Sequence, residues 1–438
     1  MGGGTLQLVA TGGQDIHLIG NPGHSFFKSV FRKHTNFSIE CIDIQYTGNI
    51  KSGKTELDFE IPRIGDLLGK MHFEIDLPDQ TVSPDQTGGS KWCSYSNTTG
   101  FSFLDELSIE IGGELIDKHD GRWYDILNEL TGNGASGQSG DNLDYLINKI
   151  TTWPTEANTT PKRTQMYIPL KFWFCKDYSN ALPLIALQYH HVNIKATFRG
   201  IKNIINSQED ISNNPDVLPP NEIKLWGNYI FLDSDERKRF AKESHEYLIE
   251  QVQLVDKPFS KDMEFNLNHP IKSLYWVIQN EVALTEKDNF TDITSTNNIT
   301  SIGGLPWSNG NDFLNYNTHL QVNPSYLQST IKYEHFNEMN MKFNGIDRFP
   351  KRKATYFRTI QPLEHGYYYP EKNIYMYSFS LNPNSFDASG SCNFSRIDNF
   401  TLHFDGDQQY LGYKLFLYAV NYNILRIMSG YGGLLYSN

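Results

Sequence analysis

One octapeptide has the residue types and spacing of a nucleotide-binding loop. Residues 48–55 read Gly-Asn-Ile-Lys-Ser-Gly-Lys-Thr, which matches the phosphate-loop pattern G-x-x-x-x-G-K-[ST]. That chemistry needs a helix directly after the loop, because the helix N-terminus and the loop N–H groups hold the phosphates. Leu57, Phe59 and Ile61 instead alternate as in a strand, and Pro62 follows them. The sequence therefore favours a hairpin turn over a nucleotide site.

The other reactive residues do not form a recognisable catalytic or metal-binding set. His190 and His191 are adjacent, but neighbours on a strand point to opposite faces, so we do not expect them to share a metal. The four cysteines, at positions 41, 93, 175 and 392, are far apart and form no C-x-x-C motif. We expect free thiols rather than a zinc site or a disulfide framework. We also expect no enzyme activity and no cofactor.

The composition is that of a large, acidic chain. It has 438 residues, 39% of them hydrophobic and 13% aromatic, enough for two domains of ordinary size or one very large one. The formal net charge is −12, and affinity for nucleic-acid phosphates comes from Lys and Arg, so we expect no direct contact with nucleic acid. No run approaches the roughly 20 apolar residues of a membrane-spanning helix.

Period-2 alternation of apolar residues dominates the chain and predicts short antiparallel strands. Strands are predicted at 42–46, 57–61, 71–77, 107–111, 168–174, 192–198, 271–278, 339–343, 375–381, 400–404 and 415–420. Gly112-Gly113 predicts a hairpin turn, and helical spacing predicts a short helix over 123–130. Polar segments predict long loops at 81–100, 131–160 and 281–330. We therefore predict an all-β protein with a few short helices.

A polar, proline-containing segment near the middle divides the chain into two halves. Residues 207–221 (SQEDISNNPDVLPPN) have the composition of a linker. Each half is the size of one all-β domain. The halves also share a faint rhythm, because the pattern of 107–117 followed by Trp123-Tyr124 resembles that of 339–349 followed by Tyr356-Phe357. This is weak sequence support for two copies of one topology.

The stretch from Gln14 to Glu40 is more aromatic than a solvated tail. Gly20-Asn21-Pro22-Gly23 predicts a turn, and Phe26, Phe27, Phe31 and Phe37 follow among basic residues. We expect these rings to be buried against the body of the chain or against a neighbouring molecule.

The same stretch resembles the N-terminus of the major capsid proteins of nucleocytoplasmic large DNA viruses, and the chlorovirus type is the nearest likeness. The resemblance rests on a G-x-Q-D-I start, then G-N-P, then F-F-K-x-V-F-R-x-x-T-N-F. Three later segments carry it further: FLDSDERKRFAKESHEYLIEQ at 231–251, NHPIKSLYWVIQ at 268–279 and NILRIMSGYGGLLYSN at 423–438.

The resemblance implies a double jelly roll, that is, two consecutive eight-stranded antiparallel jelly-roll β-sandwiches. The expected bounds are 1–26 for an N-terminal arm, 27–210 for the first sandwich, 211–222 for the linker and 223–438 for the second sandwich. It also implies a structural protein of the virion, assembled in the host cytoplasm. Homotrimeric capsomers of pseudo-hexagonal outline would tile an icosahedral shell. Expected partners are other copies of the chain, minor capsid and penton proteins, and the inner membrane side of the virion.

Two groups of residues are candidates for assembly contacts. In the arm and directly after it they are Gln14, Asp15, Asn21, Pro22, Phe26, Phe27 and Arg32. In the second half, the basic run 348–353 offers Arg348, Lys351, Arg352 and Lys353 for contact with an acidic neighbouring subunit, or else forms a solvated turn. The charged run 235–239 (DERKR) is open to the same two interpretations.

Seven N-x-[ST] sequons occur in the chain, and six of them are weak glycosylation candidates: Asn97, Asn158, Asn289, Asn298, Asn393 and Asn399, with Asn36 as the seventh sequon. Capsid proteins of the chlorovirus type carry surface glycans outside the usual sequon rule, so the motifs do not locate them. The alternative function is a carbohydrate-binding or glycan-processing β-sandwich, because jelly rolls also serve lectins.

Overall fold

Strands whose side chains alternate between buried and exposed make up most of the molecule. The computed structural model describes residues 2–29, 31–78, 80, 93–96, 98–132, 165–207, 217–280, 313–314, 316, 334–370, 372–406 and 412–437. Strand Thr55–Glu60 is typical, because Thr55, Leu57 and Phe59 are buried and the residues between them are not. Residues 1–37 form one unit and residues 38–438 form a second, much larger unit.

The first half of the larger unit contains two main sheets and a short pair. One sheet has the order β1 (Phe37–Ile44), β11 (Glu222–Leu232), β4 (Leu67–Asp76) and β8 (Gln165–Pro169). The other has the order β2 (Tyr46–Gly48), β3 (Thr55–Glu60), β9 (Val192–Phe198), β6 (Leu104–Ile111) and β7 (Glu114–His119). The short pair is β10 (Ile205–Ser207) with β5 (Cys93–Tyr95).

The second half has the same construction. Its first sheet has the order β12 (His245–Pro258), β21 (Tyr413–Met428), β14 (Pro270–Asn280) and β18 (Ile374–Ser378), with β19 (Cys392–Asn393) and β22 (Tyr431–Leu434) at its margins. Its second sheet has the order β13 (Asp262–Phe265), β20 (Phe400–Asp405), β15 (Glu338–Phe343) and β16 (Ile346–Asp347), and β17 (Arg352–Lys353) pairs with β15.

The two halves share one strand order. Sheet β1-β11-β4-β8 corresponds strand for strand to β12-β21-β14-β18, and β3-β9-β6-β7 corresponds to β13-β20-β15-β16. In both halves a hairpin is followed by a helical segment, which is the rhythm detected in the sequence. The chain is therefore two successive antiparallel β-sandwiches of one topology.

This correspondence bears on the linker. Strand β11 follows the predicted linker, yet it pairs with β4 from Glu222↔Asp76 to Ile230↔Leu67. Its counterpart in the second half is β21, the strand in the same position of the sheet. The predicted bounds 27–210, 211–222 and 223–438 stay a prediction, and the pairing favours a later boundary.

Short helices occur between the strands. Among the described residues, the α-helices are α1 (Gly3–Val9), α2 (Ile16–Ile19), α3 (Thr99–Phe103), α4 (Gly121–Thr131), α5 (Trp173–Lys176), α6 (Ser234–Lys242) and α7 (Gln361–Glu364). A π-helical turn spans Tyr356–Ile360, and 3-10 turns span Tyr178–Asn180, Ile201–Ile204 and Phe394–Arg396. Helix α4 confirms the helix predicted over 123–130. It begins after Asp120, whose carboxylate accepts a hydrogen bond from the Trp123 N–H at 2.9 Å.

Several local predictions were wrong. The strand predicted over 168–174 ends at Pro169, and residues 173–176 form α5. The charged run 235–239 lies in α6 rather than in a turn. The strand predicted at 415–420 is part of the longer β21, and β22 follows it. Residues 93–95 of the first predicted loop are strand β5. The rest of the three long loops lies largely outside the described residues.

The core has two main clusters of buried side chains, and one sheet contributes to both. On β14, Leu274, Trp276 and Ile278 pack into the interior of the second sandwich. Tyr275 and Val277, on the opposite face of the same strand, pack into the cluster of the first sandwich. The sheet β12-β21-β14-β18 is therefore covered on both faces. This explains why β14 reads as a continuous apolar run.

The hairpin turn of β6 and β7 gives a matched test of backbone and side-chain effects. Gly112 and Gly113 have φ of 60° and 85°, and a Cβ on Gly112 would overlap the His190 ring, while one on Gly113 would meet nothing within 4 Å. We expect Gly113→Ala to lower the free energy of unfolding by about 1–2 kcal/mol, the cost of the left-handed conformation.

Gly112→Ala should cost about 1 kcal/mol more, because His190 must move and lose its 2.8 Å hydrogen bond to Gly432 O. Denaturant unfolding of both variants measures the difference, and equal losses would contradict it.

Candidate functional site

The N-terminal arm, which we define as residues 1–37, presents its apolar side chains to the surface. The exposed fractions of Phe26, Phe27 and Phe31 are 90%, 99% and 81%. None of the residues in α1 or α2 is buried. Phe26 contacts His24 edge to face, with ring centroids 4.9 Å apart. Exposed aromatic groups of this kind are typical of a surface that binds another molecule.

The other arm candidates shape its turns. The Asp15 carboxylate accepts a hydrogen bond from Gly12 N–H at 2.7 Å, and Asn21 adopts a φ of 51°, which Asn tolerates better than most residues. Gln14, Pro22 and Arg32 are exposed. Residues Ile16–Ile19 form the helical turn α2. The assembly role of these residues stays a prediction.

The basic residues of the run 348–353 are exposed and partly engaged within the chain. Lys351 Nζ lies 2.7 Å from Asp405 Oδ2, and the Arg352 guanidinium lies 4.5 Å from the centroid of the Tyr356 ring. Arg348 and Lys353 are exposed. The run is thus a basic surface beside the β15 edge, and its contact with another subunit stays a prediction.

Two of the sequons lie in described, ordered turns. The Asn393 side chain accepts a hydrogen bond from Ser395 N–H at 3.0 Å and caps a 3-10 turn. Asn399 Nδ2 donates to Glu264 Oε1 at 2.6 Å, and Thr401 Oγ1 donates to Asn399 Oδ1 at 2.8 Å. A glycan on Asn399 would disrupt the first of these bonds. Asn97, Asn158, Asn289 and Asn298 lie outside the described residues.

The phosphate-loop match forms a hairpin and not a nucleotide site. Thr47 pairs with Asp58 and Gly48 with Leu57, and β3 begins at Thr55. Lys54 lies in surface ion pairs, 3.7 Å from Glu56 and 3.9 Å from Asp105. Without a following helix the N–H groups that would hold phosphates are not assembled.

The histidine pair is divided between different contacts. His190 Nδ1 bonds to Gly432 O at 2.8 Å, and His191 Nδ1 lies 2.7 Å from Glu60 Oε1. Within the described ranges, no group of three or more His, Cys, Asp or Glu side chains could hold a metal ion. Over the same ranges, no helix has the length and apolar character to span a membrane.

Sequence reasoning missed the site at which the two sandwiches meet. Helix α4 of the first sandwich packs against sheet β12-β21-β14-β18 of the second sandwich, the sheet that is covered on both faces. The Tyr418 O–H donates to the Asp120 carboxylate, and the phenol oxygen lies 2.9 Å from Oδ1 and 2.8 Å from Oδ2. Arg122 Nε donates to Gln279 Oε1 at 3.1 Å. These bonds fix the helix to β21 and β14.

Ion pairs also cross this junction. Lys372 Nζ lies 2.7 Å from both carboxylate oxygens of the fully buried Asp125. Glu250 on β12 forms ion pairs with Lys176 of the first sandwich and with Lys272 on β14. Burial would raise the pKa of Glu250, but Lys176 and Lys272 outweigh it and hold that pKa below its ordinary value.

A signal for these residues exists in the sequence. Lys272 lies inside the apolar run 271–278, and Asp125 lies inside the apolar segment 123–130. A charge in a segment that is otherwise buried needs a partner. The sequence indicates that Lys272 and Asp125 each need an oppositely charged partner, but it does not indicate which residue is that partner.

The matches to known protein families divide the chain into two similar halves. Residues 25–233 match the family described as "Major capsid protein N-terminus", and residues 236–433 match "Large eukaryotic DNA virus major capsid protein". The major capsid protein of Pyramimonas orientalis virus is 36% identical, over 100% of both chains. That of Paramecium bursaria Chlorella virus 1 is 33% identical, again over 100% of both.

This chain belongs to the major capsid proteins of large eukaryotic DNA viruses. A capsid chain from the quasi-atomic model of the PBCV-1 virus capsid superposes with a TM-score of 0.74 at 30% identity, over 94% of this chain and 100% of that one. The predicted family, the double jelly-roll fold, the structural function and the place in the virion capsid are confirmed.

The junction can be tested at Glu250. Glu250→Gln would leave Lys272, whose side chain is 2% exposed, without a counter-charge. We expect the free energy of unfolding to fall by about 3–5 kcal/mol. Glu246→Gln is the matched control, because its ion pair with Arg426 is exposed and should cost about 1 kcal/mol or less. Denaturant unfolding compares them, and similar losses would contradict a special role for Glu250.

The same pair predicts a pH dependence. The pKa of Glu250 in the folded chain is below its ordinary value of 4.5. Its contribution to stability is therefore present above about pH 4.5 and is lost as the pH falls through the folded-state pKa. The wild type should lose more stability on acidification than Glu250→Gln.

Proposed function

We propose that three copies of this chain form a homotrimeric capsomer that tiles the shell of a large DNA virus. The observation that carries this proposal is the repeated strand order, which places two sandwiches of one topology in each chain. Three such chains around a three-fold axis present six similar lobes and a pseudo-hexagonal outline. Blocks of this outline fill a plane and close into an icosahedral shell, which we propose forms in the host cytoplasm.

The arm would supply contacts between capsomers. Its exposed aromatic residues, such as Phe26 and Phe27, support this role, because burying an aromatic side chain contributes much of the energy of an interface. The partners we propose are neighbouring capsomers, minor capsid and penton proteins, and the inner membrane side of the virion.

The basic run would form a complementary contact. The chain has 50 acidic and 38 basic residues, so a neighbouring copy carries an excess of acidic side chains. Arg348 and Lys353 are exposed on this run and suit an acidic patch on the next subunit. The same net charge supports a shell that encloses nucleic acid without direct contact.

We place the boundary between the sandwiches after β11, in residues 233–244. This segment contains α6, which has no buried residue. It also includes the two residues between the matched family segments, 25–233 and 236–433. We propose no catalytic role for the chain, and any surface glycans would lie outside the two ordered sequons.

The solution mass tests the trimer. One chain has a mass of 50.3 kDa, so light scattering of the purified protein should give about three times this value, as closed cyclic assembly requires. Negative-stain images of the same fraction should show a hexagonal outline. A monomer that persists at high concentration would contradict the proposal.

Removing the arm tests its role separately. Deletion of residues 1–25 should leave soluble trimers that fail to form shells, because the sandwiches remain intact. Phe26→Ser with Phe27→Ser should weaken shell formation in the same direction, and Ser25→Ala with Ser29→Ala is the matched control. Shell yield is counted by electron microscopy, and normal yields from the deletion would disprove the role.

A further inference from the structure

A cavity of about 410 Å³ lies between the two sandwiches. The first sandwich lines it with β7, α4 and residues 169–176, and the second lines it with β12, β14 and residues 383–384. Its volume is in the range of pockets that hold small organic molecules. Neither the capsid family nor the assembly contacts assign a ligand to it.

Positive charge exceeds negative charge around this cavity. Three lysines line it, Lys70, Lys171 and Lys176, against the two carboxylates Asp117 and Glu250. Glu250 is already neutralised, because it forms ion pairs with both Lys176 and Lys272. The lining therefore has an unbalanced positive charge.

The second carboxylate is also engaged. Asp117 Oδ1 accepts hydrogen bonds from Val252 N–H at 3.0 Å and from Lys118 N–H at 2.9 Å. Its Oδ2 lies 2.9 Å from His119 Nε2. These donors leave the charge of Asp117 in place, but a single carboxylate charge does not balance both Lys70 and Lys171.

Lys171 lacks a counter-charge. Its backbone N–H donates to Tyr124 OH at 3.0 Å, but its ammonium forms no ion pair within the described part of the chain. Burial, together with the charge of Lys176, lowers the pKa of Lys171 to about 8. A desolvated cation of this kind costs free energy until an anion approaches it.

His119 supplies an unused acceptor. It lines the cavity, is 3% exposed and stacks on Phe172 with ring centroids 4.7 Å apart. Its Nε2 lies 2.9 Å from Asp117 Oδ2, and when Nε2 carries the only ring proton, for that hydrogen bond, Nδ1 is an acceptor. Nδ1 has no hydrogen-bond partner among the described residues. A hydroxyl group would satisfy it.

We propose that the cavity binds a small hydroxylated organic anion, of the class of sugar phosphates and sugar acids. Its anionic group would lie against Lys171, with Lys70 near the exposed side, and a hydroxyl would donate to His119 Nδ1. Since both sandwiches line the cavity, the bound anion would contact both. Binding would therefore stabilise their junction, by mass action, in the folded chain.

Three six-carbon probes distinguish the anionic group: sorbitol 6-phosphate, gluconate and neutral sorbitol. Calorimetric titration of the full chain should show one site per chain for one or both anions. Sorbitol should bind about ten- to hundredfold more weakly, which is the effect of losing a hydrogen bond to a charged group. The ratio of the first two affinities identifies a phosphate or a carboxylate as the preferred group.

Variants locate the site. Lys171→Met should weaken binding about ten- to hundredfold without loss of folding, because it removes an uncompensated charge. Lys171→Arg should retain binding. Lys70→Met, at an exposed position, should weaken binding less and serves as a second variant if Lys171→Met does not fold. Lys238→Met, on the exposed helix α6, is the matched control and should have no effect.

Three results would overturn the proposal. In the first, neither anion binds. In the second, sorbitol binds as tightly as the anions. In the third, the affinity for the anions is unchanged in both Lys171→Met and Lys70→Met. None of these results depends on trimer formation, which is measured independently by solution mass.

Discussion

The burial of one sheet on both faces is the constraint on which the rest of the molecule depends. Sheet β12-β21-β14-β18 closes the second sandwich with one face and covers the first with the other. Trp276 and Tyr275, adjacent on β14, belong to different hydrophobic clusters for this reason. Apolar burial contributes about 25 cal/mol per Å², so this shared layer stabilises the junction. The shared sheet makes the two sandwiches one structural unit, which suits a rigid building block.

Polar groups at this layer determine how the sandwiches are oriented. Apolar contacts are non-directional, but Asp120 with Tyr418, and Asp125 with Lys372, can bond in only one arrangement. Replacing a buried ion pair by apolar residues is often neutral or stabilising, so the pairs are better understood as fixing geometry than as adding stability. The proposed capsomer would need a fixed angle between its lobes, because its edges would have to match those of its neighbours.

The sequence predicts those parts of the fold whose signal is local. Strand Val192–Phe198 was predicted with its observed bounds, because one of its faces is buried and the other faces solvent, which gives an alternating sequence. Strand β12 was missed because Glu250, Gln251 and Gln253 interrupt its apolar pattern, and their partners lie on distant segments. Helix α6 was missed because it has no apolar face. The junction and the cavity depend on pairs of residues that are far apart in the chain. Neither the periodicity nor the composition of the sequence identifies such pairs.

The position of β21 has a consequence for synthesis of the chain. In the second sandwich β21 lies between β12 and β14, pairing along one edge with His245–Pro258 and along the other with Ile271–Asn280. Both neighbours leave the ribosome more than a hundred residues before it, and until then each has an unpaired edge. Long-range pairing of this kind is slow and leaves edges open to other chains. A nascent polypeptide therefore cannot complete its second lobe until residues 413–428 have been translated, and fragments that stop earlier lack the central strand of that sheet.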